Sequence, residues 1–129
     1  MAVNLICASH SPLMLTDIEP TNISKHEAFY EAIAEAKKGL NTFDPDVVLL
    51  FYPDHFNGFF YDLMPSFCIG TAAKGRNDWK LTPGRLNVPS DLASECVEAL
   101  IAEDIDVAIS HAMMVDHGAT IPLKLLADR

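Results

Sequence analysis

Three histidines occupy comparable places in the chain. His10 follows the apolar run at residues 3–8, His55 follows the run at 47–52, and His117 comes a few residues after the run at 106–110. Each run reads as a buried strand, so each imidazole stands just past the carboxyl end of one. In a parallel sheet those ends lie along one edge, where open α/β sheets place their ligands. Neutral imidazole is the commonest side-chain ligand for transition metals. Two histidines with one carboxylate on a face of an octahedron, leaving open positions, form the ligand set of non-haem Fe(II) oxygenases. A third histidine then serves for proton transfer near neutral pH.

Each residue also has a plainer reading. A lone histidine beside a strand is commonly a hydrogen-bonded loop residue, and the repeated placement is what raises His10 and His55 above that. His26 falls on the polar side of a helix and reads as solvated. His111 ends a strand and competes with His117 as ligand or base. Asp54 is placed to ligate a metal, to orient the neighbouring His55 or to cap the Asn57-Gly58 turn. Phe56, Phe59, Phe60 and Tyr61 read as core or as the wall of a pocket for a flat substrate. The chain has no Gly-rich phosphate loop and no nucleophile elbow.

Positioning these residues requires strands and helices in alternation. After the first strand, Ser24 and Glu27 have capping-box spacing. Apolar Ala28, Phe29, Ala32, Ile33, Ala36 and Leu40 then recur at three and four, predicting a helix that ends near Gly39 and Asn41. Pro53 closes the 47–52 strand because it has no N–H to give to a ladder. Residues 64–70 predict a further strand, and residues 71–87 a surface loop or irregular hairpin anchored by Trp79 and two leucines. Ser90 caps a second helix through about Glu103, with Leu92, Cys96, Val97, Leu100 and Ile101 inward. Residues 106–110 form a short strand, and 121–126 return to helical spacing. The order β-α-β, β, α-β-α implies an α/β fold with a mostly parallel sheet flanked by helices.

The totals agree. The 129 residues make one domain at most. A net charge of −9 argues against nucleic acid and anionic membrane surfaces, which both want a basic face. No apolar stretch approaches the ~20 residues that span a bilayer, and no basic leader opens the chain. Cys7, Cys68 and Cys96 are odd in number and lack CxxC spacing, which fits free thiols in a reducing cytoplasm.

Three segments carry a family resemblance: Ser9-His10-Ser11-Pro12, the ten residues 53–62 (Pro-Asp-His-Phe-Asn-Gly-Phe-Phe-Tyr-Asp), and Val115-Asp116-His117-Gly118. They resemble class III extradiol catechol dioxygenases of the protocatechuate 4,5-dioxygenase LigB type, and the similarity runs through essentially the whole chain. The resemblance implies a phosphorylase/hydrolase-like α/β architecture and Fe(II) held by His10 and His55. It implies His117 as the acid–base residue that donates a proton as the O–O bond breaks. The expected substrates are a catechol and O2, with Asp54, Phe56, Phe59 and Asp116 lining the substrate side. A homo-oligomer is the expected assembly. Enzymes of this family are considerably longer, with a glutamate ligand and a second acid–base histidine in a C-terminal part that has no match here. The chain is therefore expected to be an N-terminal portion, inactive alone and prone to association. A non-catalytic interaction protein and a zinc hydrolase using the same histidines are the competing expectations.

Overall fold

The computed structural model describes residues 2–15, 23–81 and 84–127. The chain divides into two compact units, Met1–Tyr52 with Gly118–Arg129, and Pro53–His117.

In the first unit a 3-10 turn at Pro12–Leu15 precedes helix α1, Ile23–Phe43. Phe29, Ile33, Ala36, Leu40 and Phe43 are half-buried at spacings of three and four, while Glu27, Glu31 and Glu35 stay exposed. The Tyr30 hydroxyl donates to the Met14 carbonyl at 2.8 Å, tying the 3-10 turn to the helix. The side chains of Ser24 and His26 lie outside the described residues. The helix runs through Gly39 and Asn41 and stops only where Asp44 turns left-handed (φ 47°), its N–H on the Leu40 carbonyl, before Pro45. The predicted strands at 3–8 and 47–52 do not form among the described residues. Leu5 is 85% and Phe51 81% exposed, so these runs are not core. Apolar, β-branched composition is a propensity that becomes a strand only against a paired neighbour.

The second unit contains the sheets. Its strands are β1 (Cys68–Gly70), β2 (Ala73–Gly75), β3 (Arg85–Leu86), β4 (Ala108–Ser110) and β5 (Met113–Val115), with helix α2 (Ser90–Ala102) between β3 and β4. β1 pairs with β4 and β2 with β5, both parallel, and β2 pairs with β3 antiparallel. Hydrogen bonds from the Thr71 amide to the Ser110 carbonyl (2.8 Å) and from the Met113 amide to the Ala72 carbonyl (2.9 Å) link the two parallel pairs. The two pieces therefore make one interrupted parallel ladder. Gly70 lies at the interruption, where a Cβ would come within 2.9 Å of the Met113 Cβ. The fold is α/β as expected, although the strand at β5 was hidden by its short run behind His111. The predicted 64–70 strand starts only at Cys68, past Pro65. The expected irregular hairpin corresponds to β2 and β3.

Helix α2 packs on β1 and β4 through Ala93, Cys96, Val97 and Leu100, with Val97 buried. Leu92 and Ile101 stay exposed, so the inner stripe is narrower than the apolar pattern predicted. Ser90 is the first helical residue rather than a cap, since Pro89 holds the N-cap position without a side-chain bond. At the other end Asp104 is left-handed (φ 58°) and donates to the Ile101 carbonyl, while Ile105 donates to Leu100. This is a Schellman closure with aspartate where glycine is usual. Helix α3, His117–Leu126, begins four residues before the periodic stretch suggested and contains Pro122.

Candidate active site

The loop after Pro53 is built by a carboxylate. Asp54 accepts backbone hydrogen bonds from Asn57 (3.1 Å), Gly58 (2.9 Å) and Phe59 (3.2 Å), which closes a tight turn. Gly58 is required there, because a Cβ would meet the Met114 carbonyl of β5 at 2.8 Å and Asp54 Oδ1 at 3.2 Å. Arg76, just past β2, donates to the Asn57 carbonyl at 2.6 Å. Of the roles open to Asp54, the geometry matches turn capping. Phe56 takes a left-handed conformation (φ 57°) and packs edge-on against Tyr61 at 4.7 Å. Phe56, Phe60 and Tyr61 are exposed and so are not core, whereas Phe59 is half-buried.

The loop is aimed by Asp116, which is 0% exposed at the end of β5. Its Oδ2 accepts from the His55 amide (2.9 Å), from His55 Nδ1 (3.1 Å) and from Asn57 Nδ2 (3.0 Å). A buried carboxylate must be compensated by donors, and three converge on this one oxygen. Because a carboxylate accepts, the contact fits a ring that donates Nδ1–H, which in the neutral form leaves the lone pair on Nε2. That tautomer is the one in which carboxylate-held histidines ligate metals.

His117 repeats the device with a different carboxylate. Asp78 Oδ2 accepts from the His117 amide at 3.0 Å and from its Nδ1 at 2.8 Å. The first bond satisfies an orphan N–H at the start of α3 and puts negative charge at a helix N-terminus. In a neutral ring that donates Nδ1–H to this carboxylate, the lone pair falls on Nε2. The rings of His55 and His117 stack with centroids 4.3 Å apart and planes 23° from parallel, and Trp79 meets His117 edge-on at 6.2 Å.

One ligating atom from each of His55, Asp116 and His117 lies within 4.8 Å of the others, so the three form a possible metal group. This arrangement can hold a cation or move a proton at Nε2. Of the residues proposed from sequence, His55, Asp54, Phe56, Phe59, Asp116 and His117 fall in this unit. His10 belongs to the first unit, half-buried two residues before the 3-10 turn. His111 is elsewhere in the second unit, its Nδ1 on Thr71 Oγ1 at 2.8 Å beside the ladder interruption. It borders an open hollow of about 420 Å³ with Lys74 and Arg85. Among the described residues, no carboxylate and neither of the paired histidines lines that hollow, so it is not the centre described above. Asp78 was missed because 71–87 has no periodicity, and its only signal was an aromatic residue in a polar loop.

Residues 4–128 match the family described as the catalytic LigB subunit of aromatic ring-opening dioxygenase. The chain is 51% identical over 127 residues to the 2,3-dihydroxyphenylpropionate/2,3-dihydroxicinnamic acid 1,2-dioxygenase 2 of Dechloromonas aromatica. It is 48% identical over 127 residues to the corresponding 1,2-dioxygenase of Photorhabdus laumondii. Each alignment covers 98% of this chain and 39% of the relative, so the chain spans about two fifths of their length. The chain belongs to the LigB family of aromatic ring-opening dioxygenases.

Proposed function

We propose that this LigB-family chain supplies the paired-histidine part of a site that opens a catechol ring beside its diol using Fe(II) and O2. The names of its relatives support a substrate of the 3-(2,3-dihydroxyphenyl)propionate class. The observation that carries the reading is the pair of stacked imidazoles, each fixed at Nδ1 by its own carboxylate. Both rings then offer Nε2, the donor a metal or a migrating proton requires.

The family resemblance assigns iron to His10 and His55, and His55 is the one whose ring is held by a buried carboxylate. Iron held there would supply Lewis-acid and electron-transfer chemistry to a catechol and O2. His117 is the proton-transfer group of this reading: with Nδ1 held on Asp78, Nε2 is the atom at which it would give a proton to the substrate side. Asp116 keeps His55 in register, and Asp54 shapes the loop that carries it. Neither carboxylate needs to touch substrate for these tasks. Exposed Phe56 gives the aromatic ring an apolar neighbour, with Phe59 behind it in the same loop.

A second ligand set, His55 with Asp116 and His117, has the proximity described above in its favour. Three donors already occupy Asp116 Oδ2, so ligation through that oxygen would compete with the bonds that orient His55. The test is to load the complete protein with Fe(II) without air, add a catechol, and then admit oxygen. A yellow ring-fission product with matching O2 uptake is expected. Bound metal without oxygen uptake would instead indicate hydrolytic zinc chemistry, and absence of both would leave a non-catalytic interaction role.

A further inference from the structure

The segment holding His117 is unusually costly. Trp79 and Lys80 are both left-handed, at φ 49° and 59°, and the Leu81 amide donates to the Asp78 carbonyl at 2.8 Å. That is the four-residue turn with two positive φ angles that glycine, asparagine and aspartate normally fill. Here an aromatic and a long basic residue fill it, although bulky residues are true outliers in that region. A second cost sits on Asp78, whose Oδ1 is buried with no hydrogen-bond partner among the described residues. Backbone strain and an unsatisfied buried oxygen in one short turn persist only where the surrounding structure over-determines them. What the turn delivers is two hydrogen bonds from His117 to one oxygen of Asp78, plus the Trp79 ring edge-on to the imidazole. Leu81, 5% exposed, anchors the turn in the core of its unit.

We infer that Asp78 is a positioning residue which, through the strained Asp78–Leu81 turn, locks His117 in the Nδ1–H tautomer and dedicates Nε2 to proton transfer. Its catalytic meaning rests on the proposed role of His117, but the tautomer itself does not. The test is a long-range proton–nitrogen NMR spectrum of the histidine rings in the metal-free complete protein, about two pH units above the ordinary histidine value of about 6.5. In the unmodified protein His117 is expected as Nδ1–H. Asp78→Ala is expected to shift it toward Nε2–H while His55, held by Asp116, keeps its signals. Asp78→Asn, whose amide oxygen still accepts, is expected to retain Nδ1–H. Finding His117 as Nε2–H in the unmodified protein, or unchanged in a folded Asp78→Ala variant, overturns the inference. If Asp78→Ala does not fold, the unmodified protein and Asp78→Asn decide. Failure of ring opening or iron binding leaves these spectra untouched, so the two ideas fail separately.

Discussion

Asp116 concentrates three hydrogen bonds on one buried oxygen, which makes it the most sensitive side chain in the centre. Its replacement by alanine strands a histidine, an asparagine and a backbone amide at once. Asp116→Ala is therefore expected to cost about 2–4 kcal/mol, read from urea denaturation, with a lost-contact value under about 1 kcal/mol counting against the bonding described. If His55 ligates metal, the same change should weaken binding about 10–100-fold, as loss of an orienting partner does elsewhere. The cysteines give an independent check. Burial pushes the Cys68 thiol above its ordinary value, while Cys7 is exposed. The thiolate is the reactive form, so limited alkylation followed by mass spectrometry should label Cys7 first. Preferential labelling of Cys68 would contradict that burial. At this scale the sequence singled out His55 and His117, and the structure stacks their rings 4.3 Å apart, although the run before His55 is not the strand expected. Asp78 was not, since a contact across 39 residues leaves no local pattern.

The elements divide by whether their signal is periodic or relational. Helix α2 was legible almost to its ends because three-and-four spacing is a property of the segment itself. The runs at 3–8 and 47–52 were misread because strand formation depends on a partner that apolar composition cannot specify. The start of α3 was misplaced because a distant carboxylate, Asp78, caps it. Two substitutions test the local geometry. Asp104 occupies the left-handed closing position of α2, so Asp104→Gly is expected to raise stability by up to about 1 kcal/mol in thermal or urea unfolding. A loss of stability there would argue against the closure. Gly58→Ala drives a methyl to 2.8 Å from a β5 carbonyl and is expected to destabilise the loop by about 1–3 kcal/mol. Unchanged stability would mean that the loop does not approach β5 as described.

For the molecule as a whole, charge and exposed surface point in different directions. A net charge of −9 opposes self-association, yet Val3, Leu5, Leu49 and Phe51 are each more than 70% exposed. Apolar runs of this kind mark surfaces that another segment or subunit covers. The 129-residue chain is accordingly expected to associate with rising concentration in sedimentation velocity, and a monomer across the micromolar range would show that these runs need no cover. No helix among the described residues is long and apolar enough to cross a membrane. The division of labour among the histidines is most directly tested by anaerobic Fe(II) titration of the complete protein carrying His10→Ala, His55→Ala or His117→Ala, each followed by catechol and oxygen. Loss of iron is expected for the first two, while His117→Ala should keep one equivalent of iron and lose ring opening. Iron retained without His10 but lost without His117 would contradict these roles and transfer the metal to His55, Asp116 and His117.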